Sequence, residues 1–376
     1  MDLTKAFDHV KFSLLFKKLS GKVAPILMRL LIFSYLNQEC QVLWNGSLST
    51  RFKISNGVRQ GAVLSPCLFN LYIDELFTEL SYSGYGCSID ELYFGCWGYA
   101  DDLGLLAPSR EALQMMINTC SAFFKDHGIS ISTNQDVNKT KTKVLTFGVE
   151  GVTSPVKLGT KPLPTVLQWP HLGVMICTSD ESFESDLDDK RRTLIGKISS
   201  LQQELGDQDP AVFVKLVQIY FLHLYGSSLW DIYSENSTKL WTAWHKFVKI
   251  TFDLPFATHT YLLNDIIQCD HIKLMVIKRF LKFQRRLAMS SNPYIKVLLR
   301  HQTNDWRSSY GRNIMNICRD AQAADINSID LNMLQVNPVP DGEEWRIPLL
   351  KDLLDCQDTF LSETEVKLVL NSVCCD

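Results

Sequence analysis

Apolar residues follow two different periods along this chain, and the change between them marks its organisation. Val10, Leu14, Leu15 and Leu19 are spaced for a helix, and the apolar run at 26–35, broken by Arg29, predicts another. Residues 41–55 (QVLWNGSLSTRFKIS) predict a hairpin, with Val42, Trp44, Phe52 and Ile54 alternating around an Asn45-Gly46 turn. Ser65-Pro66 supplies an N-cap and an N1 proline for a helix through Leu68, Leu71, Tyr72, Leu76 and Leu80. Residues 92–107 (LYFGCWGYADDLGLLA) are two apolar runs flanking Asp101-Asp102, a second hairpin with acids at its turn. Ser109 caps a helix through Leu113, Met116, Ile117, Cys120, Phe123 and Phe124, and Gly128 ends it. Strands at 129–132 and 143–148 and a proline-bearing hairpin at 153–177 follow. This is an α+β plan, an antiparallel sheet with helices on one face. After residue 181 only helical spacing persists, as in Leu187, Leu194, Ile195, Ile198, Leu201 and again over 212–224.

Composition narrows the class. A chain of 376 residues with 46% hydrophobic residues has ample apolar surface to bury, which excludes disorder over its whole length and favours more than one domain. No apolar run approaches the ~18 residues of a membrane span, and the first residues lack a signal-peptide pattern. The eleven cysteines are scattered with no Cys-x-x-Cys, so reduced thiols are expected rather than disulfides or zinc. The expected location is intracellular, with nucleus and cytoplasm undistinguished.

The net charge of −3 is unevenly placed. Between 271 and 312 there are ten Lys or Arg against the single acid Asp305, while 341–376 holds nine acids and three bases. Lys273, Lys278, Arg279, Lys282, Arg285 and Arg286 interleave with Ile272, Val276, Phe280, Phe283 and Leu287, an amphipathic helix with a basic face. That face is either simply solvated or a phosphate-binding surface. Trp230, Trp241, Trp244 and Trp306, with Tyr225 and Tyr233, are core residues or stacking platforms.

Three segments carry candidate chemistry. Asp101-Asp102 places two like charges between apolar strands, which is either a plain turn or a site for a hard divalent cation. Asp2 stands at a strand end and offers a third carboxylate, as a two-metal centre requires. Asp8 reads as a helix N-terminal acid. Residues 56–66 (NGVRQGAVLSP) put a glycine-bearing backbone before a helix N-terminus, where a phosphate can sit, with Arg59 as a forked donor. An ordinary loop is the alternative.

Taken in order, these segments resemble the reverse transcriptases of non-LTR (LINE-type) retrotransposons. DLTKAFD resembles motif A, NGVRQGAVLSP motif B and YADD motif C. NKTKTKVLTF, from Asn138, resembles motif D, and His171-Leu172-Gly173 resembles the motif E turn usually written Tyr-Leu-Gly. LYGSSLW at 224–230 and Leu254-Pro255 resemble downstream blocks. The resemblance implies a polymerase-type palm at 1–180, a helical thumb at 181–265, a basic helical region at 266–335 and an acidic tail at 336–376.

The resemblance also implies roles. Asp2 and Asp101 would bind metal, with Asp102 the third acid, and the cofactor would be two Mg²⁺ ions with Mn²⁺ as a substitute. Phe7 would reject a 2′-hydroxyl. Arg59, Gln60 and Gly61 would meet the incoming dNTP. Lys141 would donate a proton to pyrophosphate, with Lys139 the competing assignment. His171, Leu172 and Gly173 would form the primer grip, although His171 departs from the usual tyrosine. Lys278, Arg279, Lys282, Arg285 and Arg286 would contact the duplex of RNA template and DNA primer. The family's fingers lie N-terminal to motif A, where this chain begins. The expectation is therefore the C-terminal piece of a degenerate or mispredicted reading frame, without fingers or endonuclease, in which Asp2 frays and there is little or no extension. The competing reading is a catalytically inactive, nucleic-acid-binding remnant.

Overall fold

A computed structural model describes residues 1–323 apart from 134–138, 149–153, 180–182, 207–208, 268–270 and 306. Asn138 of the motif D segment, Trp306 and the acidic tail at 336–376 lie outside the described residues. The chain divides into two compact units, Met1–Val166 and Leu167 onward.

The first unit opens with β1 (Leu3–Thr4), a 3-10 turn (Ala6–His9), α1 (Phe12–Leu19) and α2 (Pro25–Leu36). Next, β2 (Glu39–Cys40) pairs with β5 (Phe52–Lys53) and β3 (Leu43–Trp44) with β4 (Ser47–Leu48). Asn45 and Gly46 both take positive φ, the type I′ geometry that the Asn-Gly signal predicts. Then come α3 (Ser65–Tyr82), the pair β6 (Ser88–Ile89) and β7 (Leu92–Tyr93), and the hairpin β8 (Cys96–Tyr99) with β9 (Asp102–Leu105). α4 (Arg110–His127) begins where Ser109 Oγ accepts the Ala112 N–H at 3.2 Å and ends at Gly128 in the left-handed region. β10 (Ser130–Ile131) and the hairpin β11 (Lys157–Leu158) with β12 (Lys161–Pro162) complete the unit.

Three details differ from the sequence expectation. Ser65 does not cap α3, because its hydroxyl donates to the Arg59 carbonyl at 2.6 Å and closes the preceding loop. The segment 143–148 forms a parallel bridge between Val144 and Thr165 in place of the expected strand, and 153–177 holds two hairpins rather than one.

The β-structure is assembled from short antiparallel pairs. β1 pairs with β10, a bridge between Asp2 and Asp102 joins it to β9, and β9 pairs with β8. The strand order is thus β10, β1, β9, β8. Leu3 and Leu103 point to the face covered by α3 and α4, where Tyr72, Ile73, Leu76, Met116, Cys120 and Phe124 form the core. Burying such side chains contributes about 1.5–3 kcal/mol each, which fixes the register because a one-residue slip would expose the set.

The second unit starts with the hairpin β13 (Gln168–His171) and β14 (Val174–Cys177), followed by α5 (Glu184–Leu205) and α6 (Pro210–Tyr220). After a 3-10 turn (Ser227–Leu229) come α7 (Glu235–Thr251), α8 (Thr260–Ile267), α9 (Ile272–Ala288), α10 (Pro293–Asn304) and α11 (Ser309–Ala323). Trp230, Trp241 and Trp244 are core residues here, with Leu240, Val248, Ile277 and Phe280. Asp186 is fully buried at the start of α5 and accepts the Met175 N–H and the Trp230 Nε1–H, each at 2.8 Å. This carboxylate ties the hairpin to the helices. Among the described residues no helix is long and apolar enough to cross a membrane.

Candidate catalytic site

Strand alternation builds the site. Leu3 and Leu103 face the core, so Asp2 and Asp102 face the other way, and the bridge sets them directly opposite each other. Opposed side chains in an antiparallel pair lie about 5 Å apart at Cβ, and like charges there repel. The β8–β9 turn adds Asp101 beside them. Fraying at Asp2 is not what the fold shows. Leu103 N–H donates to the Met1 carbonyl at 2.9 Å, Ser132 N–H donates to the Asp2 carbonyl at 2.8 Å, and the Asp2 N–H reaches Thr142 Oγ1 at 3.4 Å.

The electrostatics are those of a crowded anionic site. Burial raises the Asp2 carboxyl above its ordinary value; Lys141 opposes the rise, and Asp101 and Asp102 add to it. Lys141 Nζ stands 3.8 Å from Asp2 Oδ1, so of the two lysines left open by the sequence it is the one against this carboxylate. Among the described residues no three carboxylate, imidazole or thiolate side chains close on one point as a ready cage. A Mg²⁺ site does not require one, since that ion binds through one or two carboxylates and completes its shell with water and substrate phosphate. The donor set is all hard oxygen, and burial first, then the neighbouring Asp101 and Asp102, disfavour the Asp2 anion in a way that a bound cation offsets. These residues fit a divalent ion.

The loop between β5 and α3 is strapped onto the 3-10 turn that follows β1. Gly57 N–H donates to the Val10 carbonyl and Val58 N–H to the Phe7 carbonyl, both at 2.8 Å. Gly57 has φ +91°, and a Cβ there would lie 3.0–3.2 Å from main-chain atoms of Phe7 and Asp8, so only glycine fits. Phe7 is half-buried and stacks on Phe69 of α3, centroids 4.9 Å apart. Gln60 Nε2 donates to Asp8 Oδ1 at 3.1 Å, a contact the sequence did not suggest. Arg59 is exposed, with Nε donating to Gln38 Oε1 at 2.9 Å, and Gly61 is exposed with open space around it.

The remaining sequence candidates lie in the second unit. Leu172 and Gly173 both take positive φ in the β13–β14 turn beside the half-buried His171. The Gly173 carbonyl accepts Lys190 Nζ at 2.9 Å, and the exposed Tyr225 ring packs on Gly173. On α9, Lys282 and Arg286 are exposed and Lys278 and Arg285 half-buried. Arg279 instead donates to the main-chain carbonyls of His223 and Leu222, and burial lowers its pKa.

Two aromatic contacts at the β8–β9 hairpin also escaped sequence reading. The Trp97 indole lies across Gly104, its register partner, and the Phe77 ring of α3 covers Gly98. The glycines in CWGYADDLGLL were the available signal.

The paired carboxylates thus lie on one face of the two central strands, with two helices on the opposite face and a glycine-bearing loop strapped to the turn after β1. The family described as reverse transcriptase (RNA-dependent DNA polymerase) matches residues 1–176, a little under half of the chain. It is similar to the retrovirus-related Pol polyprotein from type-1 retrotransposable element R2 of Nasonia vitripennis, 29% identical over 46% of this chain and 18% of that protein. It is also similar to the Pol polyprotein from type-2 retrotransposable element R2DM of Drosophila melanogaster, 26% identical over 46% of this chain and 17% of that protein. A type-1 R2 Pol polyprotein of Popillia japonica is 32% identical over 37% of this chain and 20% of its own length. The matched segment thus spans about a fifth of each of these relatives.

Proposed function

We propose that Met1–Val166 houses the nucleotidyl-transfer centre of an RNA-directed DNA polymerase, which adds dNTPs to a DNA primer 3′ end on an RNA template. The observation that carries this reading is the bridge that opposes Asp2 and Asp102 on the outer sheet face, with Asp101 at the adjoining turn. Asp2, Asp101 and Asp102 hold the cofactor, two Mg²⁺ ions or Mn²⁺ in their place. Bound there, the ions supply activation of the attacking 3′-oxygen and neutralise charge on the leaving pyrophosphate.

The chain's own residues position the reactants. Phe7, held by Phe69, lies under the sugar and excludes a 2′-hydroxyl by contact. Gln60 and Gly61 flank the nucleotide, and Arg59 offers a forked donor to its phosphates. Lys141, poised at Asp2, gives a proton to pyrophosphate. His171, Leu172 and Gly173 grip the primer, while Lys278, Lys282, Arg285 and Arg286 meet duplex phosphates. In this reading 1–180 is the palm, 181–265 the thumb, 266–335 a basic helical region and 336–376 an acidic tail, in an intracellular protein.

The experiment is primer extension on an RNA template with Mg²⁺ and with Mn²⁺. Extension that depends on the cation and is lost in Asp101→Asn supports the reading; extension unchanged in that variant removes it. A second reading, a nucleic-acid binder without catalysis, rests on the exposed Lys282 and Arg286 of α9. Salt-sensitive binding to template–primer without extension would select it.

A further inference from the structure

The turn that presents Asp101 and Asp102 is strained, and something must hold it. Ala100, between Tyr99 and Asp101, has φ +55°, a left-handed conformation that costs an L-residue about 1–2 kcal/mol. Such geometry persists only where the surroundings over-determine it. The Tyr99↔Asp102 pair that flanks the turn is continued by Gly98↔Leu103 and Trp97↔Gly104. Alternation sends Gly98 and Leu103 to the core face, and Trp97, Tyr99, Asp102 and Gly104 to the face that carries Asp2.

Each face is clamped by an aromatic ring over a glycine. On the core side, a Cβ at Gly98 would lie 2.7 Å from the Phe77 ring. On the acid side, a Cβ at Gly104 would fall inside the Trp97 indole. That indole is 44% exposed, so burial of its own surface does not account for the placement. What the arrangement secures is cross-strand contact, since glycines offer the hairpin no side-chain pairing of their own.

We propose that Trp97, lying across Gly104, is a positioning residue that fixes the β8–β9 turn and so sets the spacing of Asp101 and Asp102 from Asp2 for a divalent cation. The inference rests on the reading of those carboxylates as a metal site. Without the indole, the outer face of the hairpin loses a large cross-strand contact next to the turn, Ala100 relaxes towards negative φ, and the two carboxylates turn with it. Gly104→Ala acts from the other side of the same contact by pushing the ring away.

The test is Mn²⁺ binding to the purified chain by electron paramagnetic resonance, on samples shown by circular dichroism to be folded. Parent, Asp102→Asn, Trp97→Phe, Trp97→Leu, Trp97→Ala and Gly104→Ala are compared. Trp97→Ala and Gly104→Ala are expected to weaken Mn²⁺ binding roughly tenfold or more, as loss of a group that orients metal ligands does, with Trp97→Phe restoring most of it. Should Trp97→Ala fail to fold, Trp97→Leu takes its place in the comparison. Folded Trp97 variants that bind Mn²⁺ like the parent would overturn the positioning role while leaving the metal site intact. A parent whose Mn²⁺ binding ignores Asp102→Asn would overturn the metal reading itself, and the proposal with it.

Discussion

Gly57→Ala probes how the loop before α3 is held against the turn that follows β1. Two costs arise together at this position. An alanine at φ +91° sits outside comfortable L-residue geometry, a penalty of about 1–2 kcal/mol. Its Cβ also meets the Asp8 carbonyl oxygen at 3.0 Å, Asp8 Cα at 3.1 Å and the Phe7 carbonyl oxygen at 3.2 Å. All three are main-chain atoms, so the loop must lift. Lifting strains the bonds from Gly57 to Val10 and from Val58 to Phe7, each contributing about 1 kcal/mol. The total is about 2–4 kcal/mol. Gly21 isolates the first cost, since it has φ +80° with open space around it, and Gly21→Ala should lose only about 1–2 kcal/mol. Urea unfolding monitored in the first unit reads the difference. With a slope of about 2 kcal/mol per molar, Gly57→Ala should move the midpoint down by about 1–2 M and Gly21→Ala by half that or less. Hydrogen exchange at the Val58 amide should quicken only in Gly57→Ala. Equal midpoint losses in the two variants, with Val58 exchange unchanged, would refute the close-approach argument.

Phe7→Ala should raise incorporation of ribonucleotides relative to deoxyribonucleotides in single-nucleotide addition; an unchanged ratio would leave Phe7 as a packing partner of Phe69 alone. His245 and His271 share an Nε2–Nε2 hydrogen bond of 3.0 Å, with His271 Nδ1 accepting the Lys273 N–H, and burial lowers both to about 4. Since unfolded histidine titrates near 6.5, stability of the helical unit should be full above about pH 6.5 and fall by of order 2–3 kcal/mol per imidazole as pH drops towards 4. Thermal melts across that range should show the slope, and His271→Gln should flatten it. Asp186→Ala leaves the Met175 N–H and the Trp230 indole N–H unpaired in a buried place, so it should cost about 2–4 kcal/mol in denaturant unfolding, whereas a loss under 1 kcal/mol would mean water replaces the carboxylate.

What could be read from the sequence was local. The Asn45-Gly46 turn, the Ser109 cap and the Gly128 stop depend on residues a few positions apart, and each forms as the side chains dictate. The acid-bearing hairpin at 101–102 was legible because apolar runs flanked it. Ser65 misled because a serine before proline has two uses, and tertiary contact with the Arg59 carbonyl chose the other one. The bridge between Asp2 and Asp102 joins residues a hundred positions apart, and no spacing rule carries that pairing. The same holds for Asp186 with Trp230, for Trp97 across Gly104 and for Gly57 under Asp8. Arg279 shows the limit of a basic stripe: helical period placed it among phosphate-facing residues, yet its guanidinium serves two carbonyls inside its own unit.

The central claim is that Asp2, Asp101 and Asp102 work as one polymerase centre. Single-nucleotide addition to a DNA primer on an RNA template, compared across Asp2→Asn, Asp101→Asn, Asp102→Asn and the Asp2/Asp101 double variant, tests it most directly. Groups that act as a unit are not additive, so Asp2→Asn and Asp101→Asn should each fall at least about a hundredfold and the double variant should fall no further than the worse of the two. Asp102→Asn should lose less, while template–primer binding stays near the parent's in all four. Nucleotide addition that survives in both Asp2→Asn and Asp101→Asn, or losses that multiply in the double variant, would contradict the account.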